Sequence, residues 1–369
     1  MDLNKLEQQI RKTGFVLENE VAQTLKMMGW TVISNKYYVD DFEDAVREID
    51  LIAYQVTKVQ HFDVYTVLVI SCKKSDSNAW ALLARDINLR DPNSDWWPLH
   101  AWSNDKALAF QIAQPGAARR YHNEATALGV AEALAQPAVE VFAFQEMNQK
   151  TGAPQNDKPI FSSITSLIKA QAYELGALPL RKKAPSIYQF NLLSVIDAEL
   201  ARLMFQGASI TCAAIDSEHY LARYIVRKKE TFSRIRFIRS NALAAALPDY
   251  GRLHQANANL FGTACDAFYD GIMKDHSRRK ILIDDFSKDV KWRLNWVISK
   301  AFNTTTEVGD FWLYWNAEDS RLEIQLNLPF EQIAFLNEDA ETTKRVASAL
   351  LSIYRYDGPF IFDVDDVPF

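Results

Sequence analysis

Apolar residues recur at helical spacing early in the chain. Leu17, Val21, Leu25 and Met28 fall at i, i+4, i+8 and i+11, which is one face of a helix. The pattern predicts a helix from about Lys5 to Met28, closed by Gly29, because glycine is common just beyond a last helical turn. The period then shortens. Trp30–Ser34, Glu48–Tyr54 and Tyr65–Lys73 read as strands, with an acidic loop, Asp40–Asp44, between the first two. Val67–Ile70 shows no polar alternation, which predicts a central strand covered on both faces.

Residues 80–106 are rich in Trp and Asp (Trp80, Trp96, Trp97, Trp102) and read as irregular. Ala107–Ala135 is helical in pattern, interrupted at Pro115-Gly116. Ala138–Phe144 is a strand, 150–159 a polar loop and Ser162–Leu175 a helix. The stretch 176–185 holds Gly176, two prolines and Arg181-Lys182-Lys183. That composition marks a boundary and divides the chain into domains at 1–180 and 185–369. Strands are expected at Ile187–Ile196, Ala198–Phe205, Ile210–Ala214, Ala222–Val226 and Phe232–Ile238. Helices follow at Asn241–Lys274 and Asp289–Phe302, then a hairpin of Phe311–Trp315 with Leu322–Leu326, a helix over Asp339–Tyr354 and an acidic tail. The expected fold is α/β, a central mixed β-sheet flanked by helices, with a C-terminal α+β domain.

Composition narrows the class. With 369 residues, 48% hydrophobic and 24% charged, and a net charge of −6, the chain is an ordinary globular protein. A disordered chain would need fewer apolar residues or more net charge. Three cysteines, Cys72, Cys212 and Cys265, lie far apart, and no CxxC occurs. A disulfide framework is not expected and a reducing cytoplasm is the simplest location. The first residues lack an apolar signal segment, and the longest apolar runs, such as Ala242–Leu247, are too short for a bilayer. No membrane partner is expected. The six histidines make neither HxH nor HExxH spacing, and no GxGxxG or GxxxxGK[ST] occurs. Zinc hydrolysis and internal nucleotide binding are both disfavoured.

Three pieces of the first half carry chemistry. Glu18 lies beside the apolar stripe of the first helix. Asp50 closes one strand between Ile49 and Leu51, and Glu48 shares its face. Ser71 and Lys73 close the next strand on a common face, with Cys72 turned into the packing. If the two strands pair, an acid and an amine emerge side by side at the polar end of an apolar sheet. Carboxylates can hold a hard divalent cation, the cation activates water, and a lysine can offset charge developing on a phosphate.

A helix Glu, an Ile-Asp strand and a hydrophobic strand ending in x-Cys-Lys resemble the PD-(D/E)XK nuclease superfamily, which includes restriction endonucleases and Holliday-junction resolvases. Gly14–Ala22 is similar to its first helix, Glu48–Ile52 to its metal-binding strand and Val69–Ser75 to its (D/E)-x-K strand. The resemblance covers roughly residues 10–75, and to 175 in outline. It implies a restriction-endonuclease-like sheet and Mg²⁺-dependent (or Mn²⁺-dependent) endonucleolytic hydrolysis of DNA in anti-phage or restriction-type defence. Glu18 and Asp50 would hold the metal, Lys73 would orient the attacking water and Ser71 would bond water or phosphate. Ser71 stands where the superfamily usually carries Glu, Asp or Gln. That departure supports an alternative, a catalytically inactive nuclease-like module that binds nucleic acid or a partner protein. Related enzymes often act as dimers, so a homodimer is an expected partner besides DNA. The missing nucleotide loop adds a separate ATP-driven partner.

A second cluster is basic. Arg223, Arg227, Lys228, Lys229, Arg234 and Arg236 crowd one segment of an acidic chain, with Arg234 and Arg236 on one strand face. Such a row could track a phosphate backbone or simply form a solvated sheet face. Trp96, Trp97 and Trp102 either stack on bases or pack a long loop. Lys169 and Gln171 are polar positions of a late helix, of the kind related nucleases sometimes place near the site.

Overall fold

A computed structural model describes residues 2–40, 44–305 and 307–365. Two units form, one of Met1–Asp105 with Gln114–Gly262, the other of Lys106–Ala113 with Thr263–Phe369. Together they give an α/β protein with mixed sheets flanked by helices. No helix among the described residues is long and apolar enough to cross a membrane.

The first unit is organised by a seven-stranded sheet. Its path is β1 (Thr31–Val39), β2 (Val46–Val59), β3 (Phe62–Lys74), β7 (Ser186–Asp197), β11 (Lys229–Arg239) and β10 (Ser217–Val226). β1, β2 and β3 run antiparallel, whereas β7 lies parallel to both β3 and β11. A short strand, β5 (Ala101–Ser103), shares β7's second edge with β11, pairing at 187–189 while β11 pairs at 192–196. Val67–Ile70 is almost fully buried between β2 and β7, as the unbroken apolar run predicts. β7 is buried throughout except at its last residue, Asp197.

Alternation along these strands builds two covered faces. Val67, Val69, Phe190 and Leu192 join Ile164, Leu167 and Ile168 of helix α5 (Lys158–Arg181) in one core. The opposite face receives α2 (Gly14–Met27), which buries Leu17, Val21 and Leu25. It also receives α6 (Ser240–Tyr269), where Asn257 Nδ2 donates to Thr66 Oγ1 at 2.8 Å and to Gln189 Oε1 at 3.2 Å. The parallel pair β3–β7 continues into a second, four-stranded sheet. Its order is β6 (Glu140–Asn148), β4 (Asn78–Arg85), β8 (Leu200–Gln206) and β9 (Ser209–Ala214), and β4 and β8 are again parallel. The strand β4 runs into the stretch expected to be irregular, 80–106; its Trp80 is 1% exposed.

The second unit has its own sheet, β12 (Trp312–Asn316), β13 (Arg321–Leu326) and β14 (Phe360–Val364). Its core joins Leu322, Ile324 and Phe362 to Phe286 and Leu294 of α7 (His276–Phe302) and Leu350 and Tyr354 of α9 (Ala340–Tyr354).

The expected break at 180–185 differs from this division. Pro179 sits inside α5, and Ser186 begins a central strand of the first unit. The break instead falls within α6, after Gly262. The expected opening helix is two, α1 (Leu3–Ile10) and α2, separated at 11–13. Within the expected acidic loop, Asp40 is fully buried, while 41–43 lie outside the described residues.

Candidate active site

The β2–β3 ladder ends at the pair Leu51–Ile70. One position further, Asp50 stands opposite Ser71. There the Asp50 carboxylate takes over from the ladder. Its Oδ2 accepts from the Cys72 backbone N–H at 2.6 Å and from the Ser71 hydroxyl at 3.3 Å. Such charge-assisted bonds are short and stronger than neutral ones. Lys73 lies two residues past Ser71 on the same face, and its Nζ is 3.5 Å from Asp50 Oδ2 and 3.3 Å from the Cys72 carbonyl. The Lys73 backbone stays in register with Ile196 of β7, so the amine projects from the paired end of β3. Asp50 and Lys73 keep 20% and 27% side-chain exposure, which leaves them reachable by a ligand.

Glu18 approaches from α2, within electrostatic reach of Asp50 and Lys73. Its neighbours Leu17 and Val21 are buried, which holds the helix against β1, β2 and β3 and leaves Glu18 partly covered. Burial raises its carboxyl pKa above the ordinary value, and the charges of Asp50 and then Glu48 raise it further, against the lowering pull of Lys73. Glu48 is exposed and accepts from the Asn35 amide. Cys72 points into the core, and burial, then Asp50 and Glu18, push its thiol well above the ordinary range. It is an inert packing residue.

The donor set can be tested against a hard cation. Among the described residues no group of three or more His, Cys, Asp or Glu could hold a metal ion. Mg²⁺, however, usually retains waters and is held by one or two carboxylates plus substrate phosphate. Glu18 and Asp50 supply that number, and the Asp50 charge, which adds to burial in raising the Glu18 carboxyl, is what a divalent ion would offset.

The basic cluster separates into two groups. Arg223, Arg227, Lys228 and Lys229 gather at the end of the β10–β11 hairpin. Arg227 and Lys228 form its two-residue turn at φ 49° and 64°, a left-handed geometry that usually selects Asn or Gly. Arg223 pairs with Glu230 and lies over the Phe232 ring. Arg234 and Arg236 share a face as expected, but that face is covered. Arg236 is 6% exposed. The Arg234 guanidinium donates to the carbonyls of Leu134, Ala135 and Trp96. These two arginines are therefore withdrawn from any nucleic-acid surface.

The tryptophans pack the loop. Trp96 is 5% exposed, Trp97 stacks under Arg119 and Trp102 meets Tyr188. Lys169 pairs with the buried Asp40 at 2.6 Å, so that lysine is structural. The sequence reading passed over Asp197, which receives Lys74 Nζ at 2.6 Å next to the site. Its signal was available, since an acid closing the apolar strand Ile187–Ile196 mirrors Lys73 closing its own. Compared with protein-family models, curated proteins and solved structures, the chain matches none.

Proposed function

We propose that the chain is a Mg²⁺- or Mn²⁺-dependent DNA endonuclease of the restriction-endonuclease-like kind, working in genome defence. One observation carries the reading. An ammonium and a carboxylate lie 3.5 Å apart, each partly exposed, at the end of an apolar sheet, with a second carboxylate close enough for its protonation to respond to both. A bound divalent ion would supply a polarised phosphoryl oxygen and a water of lowered pKa. Glu18 and Asp50 would hold that ion. Lys73 would donate to the attacking water or to the phosphate as its charge builds. Asp50 fixes the Lys73 ammonium in place, and the buried Ser71 hydroxyl donates to Asp50.

The second reading is a nuclease-like module that grips nucleic acid without cutting. The absence of a three-acid group among the described residues favours it. Plasmid cleavage with Mg²⁺ or Mn²⁺ separates the two, using the wild type and Lys73→Ala. At least a ~100-fold loss in the variant supports the nuclease, in line with removal of one transition-state donor. Equal cutting by both proteins refutes the role of Lys73. No cutting by either, with DNA binding retained and no heat of Mg²⁺ binding at millimolar metal, establishes the second reading.

A further inference from the structure

Arg234 and Arg236 share one face of β11. They line a cavity of about 20 Å³ with Gln171, His219 and Tyr250. Arg234 spends its terminal nitrogens on three carbonyls and on His122 Nδ1. Arg236 Nη2 reaches Ser217 Oγ at 3.4 Å. Arg234 Nε, Arg236 Nε, Arg236 Nη1 and Gln171 Nε2 are buried without a hydrogen-bond partner. Buried polar groups are normally paired, and four unpaired donors round one small cavity call for an acceptor.

Charge points the same way. Among the described residues the only ion-pair partner of these guanidiniums is Glu132, 3.9 Å from Arg236 and 63% exposed. The neighbouring histidines add no positive charge of their own, because both are neutral. His122 is lowered to about 4 and His219 to about 3, by burial and then by the neighbouring arginines. His219 donates through Nε2 to the Glu132 carbonyl at 2.9 Å.

We propose that this cavity binds a monatomic anion, chloride in ordinary salt, held between the Arg234 and Arg236 guanidiniums and Gln171 Nε2. A cavity of this volume holds about one water-sized species. A water there would accept at most two of the four N–H groups. An anion accepts all four and offsets the buried charge, which is costly when left uncompensated. The site is independent of the nuclease reading, because none of these residues belongs to the Glu18–Asp50–Lys73 group.

The test is thermal unfolding of the full chain in sodium chloride or bromide against sodium gluconate at equal ionic strength, together with bromide anomalous diffraction. The proposal expects Tm to rise by about 3 °C for each tenfold increase in halide above saturation, with that slope abolished in Arg236→Gln. It also expects a bromide peak in the wild-type cavity, a result that stands even if the variant fails to fold. Equal Tm in halide and gluconate, or an ordered water with no anomalous signal, overturns it. Stabilisation by phosphate but not by halide overturns the monatomic assignment.

Discussion

The seven-stranded sheet carries two charged groups that differ in access to water. At the ends of β2 and β3, Asp50 and Lys73 have opposite signs, stay partly exposed and sit 3.5 Å apart. On β11, Arg234 and Arg236 have the same sign and are shut under loops and a helix. Each lies at positions i and i+2 or directly across a strand pair, so local pattern alone makes them look alike. The difference is made by distant segments. Residues 131–135, His122 and Tyr250 close over β11, whereas Asp50 and Lys73 keep a route to solvent. Partly exposed opposite charges suit a site that must admit a ligand, and buried like charges suit a structural anchor.

The largest test of that contrast removes the anchor. Arg234→Ala strips partners from the Trp96, Leu134 and Ala135 carbonyls and is expected to cost about 3 kcal/mol or more. Urea unfolding measures it, and a loss near zero would mean that the arginine is solvated after all.

Acid should act on the same region with a smaller effect. His122 and His219 have folded-state pKa values lowered from 6.5 to about 4 and about 3. Below the unfolded value the unfolded chain binds protons that the folded chain refuses, so these groups contribute full stability above about pH 6.5 and lose it as pH falls. Unfolding midpoints are expected to drop by the equivalent of about 2 kcal/mol between about pH 7 and 5.5. A flat profile over that window would contradict the buried, neutral state of the two imidazoles.

The smallest stability effect belongs to the other cluster. Lys73→Ala, which slows cleavage at least ~100-fold in the proposed mechanism, should change stability by less than about 1 kcal/mol, because its pairing with Asp50 is partly exposed. A large destabilisation would make Lys73 a structural residue and would cloud any loss of activity.

How much of this was legible in the chain follows from the same physics. Val67–Ile70 announced a central strand because burial on both faces demands an unbroken apolar run. Ser71 and Lys73 were assigned to one face, and Cys72 to the other, from the period of two alone. What covers a face was not legible. Arg234 and Arg236 looked like a phosphate track because the covering groups are about 100 residues away in sequence. The break at 180–185 was misplaced because proline and basic residues mark a turn equally well inside a unit as between units. Here they close α5 and lead into β7. Trp80 was set in an irregular stretch because the following Asp- and Trp-rich residues hid the short strand β4.

The central claim is that Glu18 and Asp50 hold a divalent ion beside Lys73. Anomalous diffraction from crystals soaked in Mn²⁺ tests it most directly. The account predicts a peak in contact with carboxylate oxygens of both Glu18 and Asp50, lost in Asp50→Asn. No peak there at millimolar Mn²⁺, or a peak that persists in the variant, would contradict it.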